Sequence, residues 1–280
     1  MPKVKVNDIQ MYYEVKGEGF PLVMISGGNE NLDCWDPRLV EALSNRFRLI
    51  LFDNRDVGRT SASDREYADL RLCSDDTAGL INALGIPKAH VLGFSLGGMI
   101  AQEVAINYPK KVSKMVLYST GSTWGLGPEL SEFVSALERT RSTEEVVQLY
   151  RSLPIASEYP GDLIEKYPSV INSFTAPFVK KNPDFVDSYF KRFWEHPISK
   201  EGSRRQWNAL KQFNTQGRLK QIKAPTLVLH GGKDFAMPPR NGKILAEEIP
   251  NAKLVLFEKS GHELAEEMSE VTKVITEFLL

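Results

Sequence analysis

A serine framed by glycines, a histidine in a short polar loop and an aspartate between them in the chain are the residues whose types and spacing could do chemistry. The serine is Ser95, in Gly93-Phe94-Ser95-Leu96-Gly97. An apolar run from Ala89 to Phe94 leads into it and Met99-Ile100-Ala101-Gln102-Glu103-Val104-Ala105 leads away, a pattern of strand, sharp turn and helix. A serine on such a turn has little room, so the residues two before and two after it must be small. A hydroxyl is a poor nucleophile at neutral pH, and it needs a base within hydrogen-bond reach and a third group to orient that base.

The chain has four histidines. His90 reads as standing just before a strand, at the end away from Ser95, His196 falls in a region of helical patches, and His230 ends a strand. Only His262 directly follows an apolar strand in a short polar loop, Glu258-Lys259-Ser260-Gly261-His262-Glu263, where a parallel sheet builds its site. By the same reasoning Asp234 closes the preceding strand-end loop, after Leu227-Val228-Leu229-His230-Gly231-Gly232-Lys233. Asp53 opens the tight loop Asp53 to Arg59 before the serine and is read as structural. The order Ser95, Asp234, His262 is that of a serine triad on an α/β sheet. Acyl transfer also develops an oxyanion, which preorganised N–H donors meet for roughly 3–4 kcal/mol apiece. Leu96 N–H is one expected donor. Gly28, in Ser26-Gly27-Gly28-Asn29-Glu30, is the other, with Asn29 its alternative.

These residues need a sheet to hold them. Val4 and Val6, then Ile9, Met11, Tyr13 and Val15, alternate about Asn7-Asp8, which predicts an antiparallel hairpin. Beyond it the apolar runs Leu22–Ile25, Leu49–Phe52, Val91-Leu92, Met115–Tyr118, Leu227–Leu229 and Leu254–Phe257 do not alternate, as in strands covered on both faces. Helical segments lie between them: Pro37 to Asn45, Leu70 to Leu84, Leu96 to Tyr108 and Asn241 to Ile249. A last one carries Leu264, Met268, Val271, Ile275 and Phe278 at 4-3-4-3 spacing. The fold class is α/β, a mostly parallel twisted sheet with helices on both faces.

The alternation stops after Tyr118 and resumes at Ala224-Pro225-Thr226. Residues 1–121 and 222–280 are therefore expected to form the core, and 122–221 an inserted helical lid, with patches at Glu129 to Arg141 and Thr143 to Leu153. Its aromatics, Phe174, Phe178, Phe185, Tyr189, Phe190, Phe193 and Trp194 among them, are read mainly as a small core of its own. Trp124 is expected at the pocket mouth and Phe94 near its floor.

With 280 residues, 42% of them hydrophobic, and a net charge of −1, the chain is long enough for one sizeable core plus an insertion. No basic excess suggests nucleic acid or a membrane surface. There is no charged-then-apolar leader and no apolar stretch long enough to span a bilayer, so a cytoplasmic location is the expectation. Cys34 and Cys73 lack metal-ligand spacing and read as buried small hydrophobes. No metal or cofactor is expected, and oligomeric state is not legible.

With elbow, acid and histidine in place, the chain resembles the α/β-hydrolase family along its whole core. Cys34-Trp35-Asp36, Phe47-Arg48-Leu49-Ile50, Gly93 through Gln102, Gln206-Trp207-Asn208-Ala209 with Phe213-Asn214-Thr215, and Ala224 through Gly231 are similar to the 3-oxoadipate enol-lactonases and their esterase relatives. Gly27-Gly28-Asn29 and Arg55-Asp56-Val57-Gly58-Arg59 are more like the aclacinomycin methylesterases. The resemblance implies a cofactor-independent hydrolase for a small carboxylic ester or lactone. Serine at position 95 disfavours haloalkane dehalogenases and epoxide hydrolases, which carry aspartate there. Carbon–carbon bond hydrolases, a perhydrolase side activity and a receptor-like binding module remain open. A substrate carboxylate, as in the enol-lactone, should be met by an arginine or lysine of the lid.

Overall fold

Strands whose two faces are both apolar pair into a sheet only if something covers each face, and the connections here supply that cover. The computed structural model describes residues 2–63, 65–67, 69–124, 132–133, 136–137 and 139–280. Its eight strands are Lys3–Val6 (β1), Ile9–Lys16 (β2), Pro21–Ile25 (β3), Arg48–Phe52 (β4), Ala89–Phe94 (β5), Val112–Tyr118 (β6), Thr226–Gly231 (β7) and Lys253–Phe257 (β8). They lie in the order β1-β2-β4-β3-β5-β6-β7-β8. The β1–β2 hairpin turns at Asn7-Asp8 with Val6 opposite Ile9, and β2 pairs antiparallel with β4. All later pairings are parallel.

The helices outside the β6–β7 connection are Pro37–Ser44 (α1), Arg71–Ala83 (α2) and Leu96–Asn107 (α3), then Arg240–Glu248 and Met268–Leu279, which become α10 and α11 below. Asp36 caps α1 by accepting Arg38 N–H, with Pro37 at the first position, where its missing N–H costs nothing. Val23, Ile25, Val91, Leu117 and Val228 face α2 and α3 through Leu80, Ile81, Met99, Ile100 and Val104. Their neighbours Leu22, Met24, Leu92, Val116 and Leu229 face the other way, against Leu39 and Leu43 of α1 and Val271 and Ile275 of the last helix. Full burial of an aliphatic side chain contributes about 1.5–3 kcal/mol, so the alternating burial of each run fixes its register.

Between β6 and β7 the described residues form helices Thr143–Arg151 (α4), Gly161–Lys166 (α5), Val170–Ser173 (α6), Ala176–Lys181 (α7), Pro183–Glu195 (α8) and Lys200–Gln212 (α9). Six residues of the expected patch Glu129 to Arg141 lie outside the described residues. Phe174, Phe178, Tyr189 and Phe190 share a cluster with Tyr150, Ile164 and Val179, with Tyr167 and Phe190 stacked at 4.4 Å. A Thr123–Asn214 bridge closes the neck of this segment. Three contacts seat it on the strand-end loops: Asn31 Nδ2 donates to the carbonyls of Arg192, Phe193 and His196 at the end of α8, Arg192 Nε donates to Asp33 O, and Arg205 of α9 grips Asp56 through two bonds of 3.0 Å.

The C-terminal region departs from its spacing. Leu264 is not part of the last helix: it is buried in a left-handed conformation, φ 50°, before a 3-10 turn, and α11 (Met268–Leu279) begins later. The chain must turn out of the His262 loop before it can become helical. The buried line ends on Leu279 rather than Phe278, which is only partly buried. No helix among the described residues is long and apolar enough to cross a membrane.

Candidate active site

Ser95 sits between β5 and α3 with φ 51° and ψ −119°, a conformation costing on the order of 1–3 kcal/mol. The surroundings hold it there. Its N–H donates to Tyr118 O at 2.9 Å, and its carbonyl accepts from Gly98 N–H at 2.9 Å and Thr120 Oγ1 at 2.7 Å. The two flanking glycines are required by space. A Cβ on Gly93 would lie 2.3 Å from Gly97 O, and one on Gly97 would lie 2.1 Å from Ile25 O.

His262 Nδ1 stands 2.7 Å from Asp234 Oδ2. A carboxylate only accepts, so that nitrogen carries the proton and Nε2 is left with a lone pair. Met237 N–H donates to the other Asp234 oxygen at 2.7 Å, and the two loops are laced together by Lys233 N–H donating to Ser260 O at 3.0 Å. His230, also in this region, gives its Nε2 proton to Met237 O. Burial lowers its pKa, so it stays neutral. His90 is within β5, packed between Phe20 and Phe47, and His196 ends α8. Asp53 is buried and accepts from Leu32 N–H and from the backbone and guanidinium of Arg59, a structural hub as its sequence position suggests.

Ser95, Leu96, Gly28, Asn29, Phe94, Trp124 and His262 all line one cavity of about 340 Å³, within the usual range for small-ligand pockets. Phe94 packs against His262 at 4.9 Å and Tyr118 at 5.3 Å. Trp124 meets Trp207 edge-on at 5.4 Å. A Cβ on Gly28 would lie 3.6 Å from Leu96 Cδ1, so the residues carrying the two expected oxyanion donors are neighbours in space. Asn29 N–H instead donates to Gln206 Oε1 at 2.9 Å. That bond leaves Gly28 as the candidate.

Among the cavity residues that type and spacing did not single out as functional are Glu30, Tyr189, Gln206 and Glu263. Gln206 is 2% exposed, and because a backbone N–H can only donate, the atom facing Asn29 is its oxygen. Its Nε2 is buried without a hydrogen-bond partner among the described residues. Tyr189 Oη lies 2.8 Å from Glu30 Oε1 and 2.9 Å from Glu263 Oε1. Burial and the neighbouring Glu30 charge push the Glu263 carboxyl well above the usual carboxylate range, and burial raises Glu30 as well. Two acids flanking the candidate loops, one straight after Gly27-Gly28-Asn29 and one straight after His262, were the available signal. Among the described residues no arginine or lysine lines the cavity.

A model of the α/β hydrolase fold matches residues 21–268. The chain belongs to the α/β-hydrolase family. At 30% identity over 262 residues, covering 91% of each chain, this hydrolase is similar to the "Putative non-heme bromoperoxidase BpoC" of Mycobacterium tuberculosis. It is 29% identical to the 2-hydroxy-6-oxononadienedioate/2-hydroxy-6-oxononatrienedioate hydrolase of Burkholderia vietnamiensis, over 97% of this chain and 91% of that one. Among solved structures it superposes on the enol-lactonase of Burkholderia xenovorans with a TM-score of 0.79 and 24% identity, over 99% of both chains, a likeness of fold.

Proposed function

We propose that this hydrolase cleaves a small carboxylic ester or lactone through an acyl-enzyme on Ser95. The observation that carries the reading is the 2.7 Å Asp234–His262 couple opening onto the same cavity as a serine held on a strained turn. In this reading His262 Nε2 takes the Ser95 proton as the hydroxyl attacks the carbonyl carbon. The Leu96 and Gly28 N–H groups hold the resulting oxyanion. His262 then protonates the leaving oxygen, and water, activated by the same histidine, releases the acid. Asp234 keeps the proton on Nδ1 throughout and stabilises the imidazolium. The helical segment 122–221 acts as a lid over the cavity.

Substrate charge follows from the lining. A carboxylate-bearing lactone would enter a cavity that offers two acids and, among the described residues, no lining cation, so an uncharged ester or lactone is the better fit. A carbon–carbon hydrolase is the second reading, favoured by the 29% identity to the dienedioate hydrolase, because the same serine, histidine and oxyanion donors serve a ketone.

The test is kcat/KM for an aryl acetate and for 3-oxoadipate enol-lactone on one preparation, with Ser95→Ala as the blank. The aryl ester is expected to be turned over at least as well as the enol-lactone. Ser95→Ala should lose about 10⁶-fold in kcat. A large preference for the enol-lactone would overturn the uncharged-substrate reading. Failure of an active-site phosphonate to label Ser95 in folded protein would favour a binding module instead.

A further inference from the structure

Tyr189 has one hydroxyl hydrogen and two carboxyl oxygens in hydrogen-bond range, Glu30 Oε1 at 2.8 Å and Glu263 Oε1 at 2.9 Å. It can donate to only one of them. The second short contact is a hydrogen bond only if the other carboxyl is itself a donor, that is, protonated. The remaining contacts say which. Glu30 Oε2 accepts Gly27 N–H at 3.0 Å, so its two oxygens face two donors, as an ionised carboxylate prefers. Glu263 faces Tyr189 through Oε1, and the bond that Tyr118 Oη gives this residue, at 2.6 Å, goes to its backbone carbonyl.

We propose that Glu263, Tyr189 and Glu30 form a chain sharing one extra proton, running from the Glu263 acid through the Tyr189 hydroxyl to the Glu30 carboxylate and on to Gly27 N–H, and that the chain positions the oxyanion loop. The three are positioning residues, and the role rests on the hydrolytic reading above. Gly27 precedes the candidate donor Gly28, and a Cβ on Gly27 would lie 2.6 Å from Glu30 Oε2, so the carboxylate presses directly on the loop. Losing the shared proton leaves two carboxylates competing for one hydroxyl. The Glu30 contact with the loop then slackens, and the Gly28 N–H is no longer held for the oxyanion.

Among the described residues facing the chain, only His262 acts to stabilise the Glu30 charge, and none stabilises the Glu263 carboxylate except the Tyr189 hydroxyl itself. Cys34 and Asp36 face it from the turn before α1, Tyr118 from the end of β6, and Asp234 and His262 from the strand-end loops. Two arginines lie on neighbouring elements: Arg38 binds Asp36 and Ala265 O, and Arg192 binds Asp33 O and Ser188 Oγ through Nε and Nη1, while its buried Nη2 has no hydrogen-bond partner among the described residues. Burial and mutual repulsion raise the Glu263 carboxyl, in the direction the contact geometry requires, so the proton is held more tightly than on an exposed glutamate and is lost as pH rises.

The experiment pairs infrared spectra of the full chain across pH with kcat against pH for an uncharged aryl ester. Wild type should show, at neutral pH, the carbonyl stretch of a buried carboxylic acid that shifts in D₂O, disappearing at higher pH in step with a fall in kcat. Glu263→Gln keeps a donor toward Tyr189 but cannot titrate, and should lack both the band and the alkaline fall. Tyr189→Phe should lower kcat about tenfold with KM within about twofold, a fraction of the 10²–10³ for a lost oxyanion donor. No acid band in wild type, or the same alkaline limb in Glu263→Gln, overturns the chain. Should Glu263→Gln fail to fold, the wild-type band and its pH course decide. The band is read without turnover: its absence sinks the chain alone, whereas absent hydrolysis sinks the reading above and the positioning role with it.

Discussion

Two carboxylate clusters in this molecule are built on opposite terms. Under the sheet edge, the Arg55 guanidinium is shared between Asp76, at 2.8 and 2.9 Å, and Asp8, at 2.9 and 2.8 Å. Arg55 is fully buried and Asp76 nearly so. Arg55 holds the Asp8 carboxyl far below the usual carboxylate range. At the cavity, Glu30 and Glu263 have a single tyrosine hydroxyl between them, and Gln206 Nε2 has no hydrogen-bond partner among the described residues. Where donors and acceptors match, the cluster welds hairpin, loop and α2 together. Where they do not match, the imbalance costs stability and leaves groups for a proton or a substrate to complete.

The matched side is broken most strongly by Arg55→Leu. Removing the guanidinium leaves Asp76 charged and buried, which should cost about 3–5 kcal/mol. Urea unfolding should show a lower midpoint with a similar slope, while kcat per titrated Ser95 stays near wild type. A stability loss below about 1 kcal/mol would mean that the pairing holds nothing together.

On the unmatched side, Gln206→Leu should do the reverse. It releases Asn29 N–H from its lid partner and lowers kcat/KM about tenfold, roughly 1.4 kcal/mol in the transition state, with unfolding shifted by less. If the variant is as active as wild type, the contact between α9 and the loop has no catalytic consequence.

The smallest effect tests a buried group that belongs to neither cluster. Burial lowers His90 to about 4 from an ordinary value of about 6.5. The unfolded chain therefore binds a proton between those values that the folded chain does not, and stability should fall as pH drops from about 6.5 toward 4. His90→Phe should flatten that part of the stability-versus-pH curve, read by thermal unfolding at several pH values. An unchanged slope would assign the pH dependence to other groups.

The parts of the site that were legible in the sequence are those tied to local chain geometry. The glycines at 93 and 97 announce a turn in which any Cβ collides with backbone, and the structure places those collisions at 2.3 and 2.1 Å. Asp234 and His262 stand straight after apolar runs that become β7 and β8, so strand ends alone bring them within 2.7 Å. Leu264 was misplaced because helical spacing continues through it, while the left-handed turn that excludes it from α11 is set by the loop before it.

Sequence by itself determined what period, turn chemistry and chain order determine: a parallel sheet with covered faces, a serine on a glycine-framed turn, and an acid and a histidine at later strand ends. Only the tertiary structure decided how residues 74 to 177 apart in the chain share donors and protons. Glu30, Tyr189 and Glu263 meet because α8 crosses two strand-end loops. Gln206 takes the N–H of Asn29 because α9 lies over the oxyanion loop. Neither pairing leaves a mark on periodicity or spacing, because a hydrogen bond depends on a distance in space and on which partner holds the proton.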